Sequence, residues 1–170
     1  LAAFYAGCED TVSRAKKASE AEGADFVVLR FDSADPNGEN KSVEDCVAVA
    51  KAVSEAVEKP LVIMGCKNIE KDTELFNKVS EALQGKNILL LSAREENYKS
   101  VGASAGLAYN QKVGAESAVD INLAKQLNVL MTQLGVSAKN VAMNVGSAAA
   151  GYGFEYVIST LDRVKGAALT

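Results

Sequence analysis

Apolar residues along this chain follow two spacings in turn. DFVVLRF (25–31), PLVIMG (60–65), NILLLSA (87–93), QKVGAES (111–117) and NVAMNV (140–145) are short runs, most of them rich in Val, Ile and Leu. Their length and branched content predict strands buried on both faces. Between them, apolar positions recur three and four apart. Val43, Val47, Ala50, Val53 and Val57 form one such set, Leu75, Phe76, Val79 and Leu83 a second, and Leu123, Leu127, Leu130, Met131 and Leu134 a third. This is the spacing of one helix face. Segments 9–22, about 95–109 and about 154–169 supply three more helices. Ser42, three residues before Asp45, is close to a capping box. Asp72 or Thr73 is expected to cap the next helix and Asp120 the one after it, while Gly23 and Gly85 end helices. SADPNGEN (33–40) is a turn built from Pro36, Asn37 and Gly38. QKVGAES is the weakest strand, because Gly114 interrupts it.

Five strands in strict alternation with six helices predict the α/β class, as parallel βα repeats in a single domain over residues 1–170. Two architectures fit: an open doubly wound sheet, or part of a (β/α)8 barrel of the TIM-barrel type. A complete barrel needs about 250 residues, so five strands would make an incomplete one.

Composition narrows the function. Eighteen basic against twenty-two acidic residues give a net charge of −4. That leaves no basic excess to neutralise nucleic-acid phosphates. No apolar run approaches the roughly 18 residues of a membrane span, and no basic, then apolar, signal peptide is visible. The chain starts at Leu1, as expected of a fragment or a processed product. Cys8, Cys46 and Cys66 are too far apart for a metal or cluster motif. An odd count without a signal predicts reduced thiols in the cytoplasm. The chain has no histidine, so histidine acid–base catalysis, a Ser-His-Asp triad and histidine-ligated zinc are all ruled out. Neither catalytic nor metal-ligating residues are assigned.

Ligands of parallel α/β folds approach the carboxyl ends of the strands. The polar residues expected there are Asp32, Ser33 and Asp35; Cys66 and Asn68; Ser92, Arg94, Glu96 and Asn97; Glu116, Ser117, Asp120 and Asn122; and Asn144 and Ser147. Helix capping and turn formation explain Asn68, Asp72, Asn97 and Asp120 equally well. Cys66 reads as a small buried hydrophobe, and Lys112 as a solvated lysine rather than a Schiff-base lysine. NVGSAAAGYGFEY (144–156) matches neither a phosphate-binding P-loop nor a dinucleotide fingerprint. Its small residues would still let a broad, flat ligand reach the backbone. Gly151 and Gly153 precede a helix N-terminus with free N–H groups. A contact loop and a plain connection both remain open on these residues alone.

Several longer motifs, SADPNGEN, PLVIMGC with EKD (70–72), ENYKS (96–100), DINLAKQLN (120–128) and GYGFEY (151–156), run through most of the chain. With them the sequence resembles the small (delta) subunit of the corrinoid/iron–sulfur protein of the CO dehydrogenase/acetyl-CoA synthase system. The resemblance implies a TIM barrel paired with a large subunit that carries a [4Fe–4S] cluster and a corrinoid domain. It implies a corrinoid (cobamide) shared at that interface, and a methyl group passed from a methyl-pterin, by a methyltransferase, toward acetyl-CoA synthase in the reductive acetyl-CoA pathway. The delta subunit then acts as a non-catalytic docking face. On that reading the cofactor-binding residues are Asn68, Asn97, Asp120, Asn122, Asn144, Gly146, Ser147, Gly151 and Gly153. Neither nucleic acid nor membrane is an expected partner. Three departures from the family pattern are expected near the cofactor face: Asn144-Val145-Gly146-Ser147 in place of Asp-Pro and two small residues, Asn110-Gln111 in place of Gly-His, and Lys67 in place of a glycine. The alternatives are a stand-alone pterin-binding methyltransferase barrel using Asp120 with Asn122 or Asn144, and a non-catalytic partner-binding scaffold.

Overall fold

A computed structural model describes residues 1–168. Five parallel strands, β1 (Val27–Arg30), β2 (Leu61–Met64), β3 (Leu89–Ala93), β4 (Lys112–Glu116) and β5 (Val141–Asn144), form one sheet in the order β1-β2-β3-β4-β5. The helices between and around them are α1 (Thr11–Ser19), α2 (Val43–Ala56), α3 (Ile69–Ala82), α4 (Tyr98–Val101), α5 (Ile121–Gln133) and α6 (Phe154–Ala168). Leu169, the expected end of the final helix, lies outside the described residues.

Each strand sits beside its chain neighbour, without the reversal that defines a doubly wound sheet. Crossovers between parallel strands are almost always right-handed, so this order sends successive helices to the same face. The packing agrees. Val27, Leu29, Leu61, Ile63, Leu90 and Val113 share one apolar core with Cys46, Val53, Leu75, Phe76 and Val79 of α2 and α3. Side chains alternate along a strand. Val28, between Val27 and Leu29, therefore points to the opposite face, where it is 45% exposed.

Local chemistry explains most boundaries. Asp10 caps α1 by accepting the Ser13 N–H, and Ser42 caps α2 by accepting the Asp45 N–H. Asp120 caps α5, taking the N–H groups of Asn122 and Leu123 at 2.8 and 3.1 Å. The cap of α3 is neither Asp72 nor Thr73. Asn68 takes that place by accepting the Lys71 N–H at 3.0 Å, and α3 starts one turn earlier than its apolar spacing suggests. The segment expected as one helix over 95–109 is a single α-turn, α4, that widens into a π-helix over Gly102–Ala108. Its glycines permit close packing. A Cβ on Gly102 would stand 2.8 Å from the Met131 sulfur, and one on Gly106 2.9 Å from Val136.

β4, the weakest strand by its residues, is an inner strand with neighbours on both sides, and Val113, Gly114 and Ala115 are buried. Gly114 is required there, since a Cβ would lie 2.4 Å from a Leu91 methyl. β3 carries one extra residue against β4: Leu90 pairs with Val113, but Ala93 with Ala115. Such a bulge re-aims the side chains that follow it.

Candidate functional site at the carboxyl ends of the strands

The strand-end loops are built from buried polar brackets. In the β2–α3 loop the bracket is Asp72. It sits in the first turn of α3 and is 7% exposed. Its Oδ1 accepts the Cys66 N–H at 2.7 Å and the Cys66 thiol at 3.3 Å; its Oδ2 accepts the Lys67 N–H at 2.9 Å. Gly65 makes room for it, because a Cβ there would fall 2.2 Å from Oδ1. Lys67 then adopts φ +73°, a left-handed conformation that favours glycine. Cys66 is buried, and burial pushes its thiol up to about 11. It is a protonated, packed thiol at neutral pH, as its apolar setting in the sequence suggests.

In the β3–α4 loop the bracket is Asn97, 5% exposed. Its Oδ1 accepts the Arg94 N–H at 2.8 Å, and its Nδ2 donates to Thr73 Oγ1 on α3 at 3.0 Å. Arg94 reaches across to Glu116 at the end of β4, with Nη2 3.2 Å from Oε1. Asn144, at the end of β5, donates from Nδ2 to Ser92 Oγ at 2.8 Å and accepts the Gly146 N–H on Oδ1 at 3.1 Å. This contact passes from β5 to β3 beside Gly114, whose missing Cβ would be 3.5 Å from Ser92 Oγ.

The β4–α5 turn is strained. Ala118 and Val119 both have positive φ, +48° and +70°, inside a turn closed by the Asp120 N–H and the Ser117 carbonyl at 2.9 Å. Turns of that shape normally use Asn and Gly, and a branched Val is costly there. Its partners hold it in place. Ser117 donates its N–H to the Asn144 carbonyl at 3.0 Å and Val119 to the Val145 carbonyl at 2.7 Å, while Thr160 of α6 donates to the Val119 carbonyl at 3.3 Å.

The nine residues singled out as cofactor-binding lie in these loops or, for Asn122 and Asn144, at the element ends that border them, in two groups. Asn68, Asn97, Asp120 and Asn144 spend side-chain atoms on caps and brackets within the chain. Gly146, Ser147, Gly151 and Gly153, in the β5–α6 loop, and Asn122 carry no such bracket. Ser147 and Gly151 are exposed, and a Cβ on Gly151 would meet nothing within 4 Å. Beside them Tyr152 is 86% exposed. Two residues expected near this face are elsewhere. Asn110 and Gln111 precede β4 at its amino end. There Gln111, fully buried, accepts the Ile88 N–H and donates to the Leu83 carbonyl. Lys112 opens β4 at that same end. No spacing in the sequence brings Arg30, Lys67 and Asp72 together as site residues. The one available signal for Asp72 was its place four residues after the Asn68 cap, inside the first turn of α3. Among the described residues, no group of three or more His, Cys, Asp or Glu side chains is arranged to hold a metal ion, and no helix is long and apolar enough to cross a membrane.

The model of the CO dehydrogenase/acetyl-CoA synthase delta subunit family matches residues 2–170. This chain belongs to that family. It is 31% identical over 161 residues to subunit delta of the acetyl-CoA decarbonylase/synthase complex of Methanopyrus kandleri, covering 95% of this chain and 40% of the relative. The corresponding subunit of Methanocaldococcus jannaschii is 32% identical over 92% of this chain and 39% of its own. Subunit delta 1 of Methanosarcina thermophila is 33% identical over 91% and 36%. The chain thus spans about two fifths of the length of the delta subunits it matches.

Proposed function

We propose that this chain works as part of a delta-type subunit of a corrinoid/iron–sulfur methyl carrier, as a docking face rather than a catalyst. The family membership sets the system, and the β5–α6 loop supplies the observation that carries the reading. From Ser147 to Gly151 the loop presents only small side chains, and Ser147, Ala149, Ala150 and Gly151 are exposed. A planar macrocycle needs such clearance, and these residues fit the edge of a corrinoid. Bound at that edge, the corrinoid would supply the cobalt that carries the methyl group. This chain's residues would bind, orient and shield, with Tyr152 as an aromatic contact. A larger subunit would hold the [4Fe–4S] cluster and the corrinoid domain. A methyltransferase charged by a methyl-pterin and acetyl-CoA synthase would meet the same assembly. The pterin-enzyme alternative is less well supported, because one oxygen of Asp120, Oδ1, and the single side-chain oxygen of Asn144 already accept backbone N–H groups.

The strand order also supports a barrel of the TIM type. A parallel sheet laid down in chain order, with helices on one face, curls toward closure when further βα units follow, and the relatives are long enough to provide them.

The test uses Ala149→Glu and Ala150→Glu, which add bulk and charge without demanding a positive φ. Each variant is co-expressed with a corrinoid-bearing large subunit and purified by a tag on that partner. Reduced recovery of the variant, with an unchanged melting temperature, supports the docking loop. Recovery equal to the wild type removes the loop from the interface.

A further inference from the structure

Three cations from three strand ends meet at one small cavity. Arg30 of β1, Lys67 after β2 and Arg94 after β3 line a space of about 40 Å³ together with Ser92, Asn144 and Glu116. The chain is acidic overall, and its core has no need of this convergence. Nearby carboxylates do not exhaust these cations. Asp72, also on the cavity wall, turns its oxygens to backbone N–H groups and the Cys66 thiol. Arg30 spends one nitrogen on Asp32, at 2.7 Å, and Arg94 one nitrogen on Glu116. The remaining N–H groups of each guanidinium are open to another acceptor. The Lys67 ammonium has no hydrogen bond or ion pair among the described residues.

Surface cations alone would mean little. What sets Lys67 and Arg94 apart is that the backbone of each is fixed from below. The Lys67 N–H is held by Asp72, and the Arg94 N–H by Asn97, both side chains more than nine-tenths buried. The two brackets are joined, since Asn97 donates to Thr73, the residue after Asp72 on α3. Gly65 and the left-handed Lys67 are the strained or space-making positions this support requires. Buried side chains that lock the bearers of exposed charges are the mark of a preorganised binding site.

We infer that Lys67, Arg94 and Arg30 form an oxyanion site, which takes one phosphate or carboxylate group at the carboxyl ends of β1–β3. Asp72 and Asn97 are its positioning residues. The inference does not rest on the corrinoid reading, and its test needs no partner.

Amide NMR spectra of the chain are recorded while inorganic phosphate, and separately acetate, is added at constant ionic strength. Saturable shifts at Lys67 and Arg94 are expected for at least one anion, and the anion that saturates tells phosphate from carboxylate. Lys67→Gln and Arg94→Gln should each weaken that binding about tenfold, the scale of losing one charge-assisted hydrogen bond. Lys67→Arg should retain it, as should Lys125→Gln on the exposed side of α5. Unsaturable shifts, or shifts spread over the surface and unchanged in Lys67→Gln, would mean an adventitious ion only and overturn the site.

Discussion

At the scale of the residue, the absence of a side chain decides as much as its presence. Gly65 is neither a turn glycine nor a flexible one. It leaves the space in which the Asp72 carboxylate reaches two backbone N–H groups. A methyl group at 2.2 Å must push that carboxylate away. Gly65→Ala should therefore cost about 2–4 kcal/mol, the range for disrupting a buried, charged hydrogen-bond network. Denaturant unfolding measures it. The same substitution made on an Asp72→Ala background should cost clearly less, because the clash has gone. Equal costs in both backgrounds would show that Asp72 is not what the glycine accommodates.

The elements are joined at both ends of the sheet by polar side chains, which the two ends use differently. At the carboxyl ends, Asp72, Asn97 and Asn144 shape loops that face outward. At the amino ends, Gln111 has a purely internal task. It links the end of α3 to the start of β3 through Leu83 and Ile88. Replacing it with Leu keeps the volume but strands the buried Ile88 N–H, while the Leu83 carbonyl keeps the Lys86 N–H. A loss of about 1–3 kcal/mol is expected, and amide exchange should quicken first at Ile88. An effect within experimental error would mean that water satisfies the Ile88 N–H. The strained Ala118–Val119 turn is a second joint between elements. Val119 in it bonds to Val145 just after β5 and to Thr160 of α6, so the β4–α5 turn is tied to both the β5–α6 loop and the last helix.

For the molecule as a whole, the outer strands and the last helix have unsatisfied surfaces. α6 buries Val157 and Thr160 but leaves Phe154, Ile158 and Leu161, a second stripe at helical spacing, 45–48% exposed. At the far edge, Val28 of β1 and Phe26 just before it are exposed. Contiguous apolar surface of this kind marks an interface or a tendency to associate, and open edges invite further pairing. For the isolated chain, Ile158→Lys with Leu161→Glu should lower self-association in light scattering and leave the melting temperature within about 2 °C, since neither side chain supports the core. Association that persists unchanged would assign it to the sheet edges.

The order of strands and helices was legible because burial imposes a spacing on the sequence, and spacing is local. Caps at Ser42 and Asp120 are legible for the same reason: the cap and the N–H it accepts are two or three residues apart. The motifs also carried the family, which matches nearly the whole chain. Other features needed the fold. The start of α3 was misplaced because Asp72 looks like a cap in sequence, while its partners, Cys66 and Lys67, come from the loop before it. β4 looked weak because Gly114 breaks its pattern, and only Leu91 on the neighbouring strand explains the glycine. Asn110 and Gln111 were assigned to the wrong end of the sheet. The meeting of Arg30, Lys67 and Arg94 was invisible, because their separation along the chain says nothing of their distance in space. Sequence by itself determined what each segment must bury. Tertiary structure decided which polar groups would meet, since hydrogen bonds and charges act over a few ångströms between segments that only the packed sheet brings together.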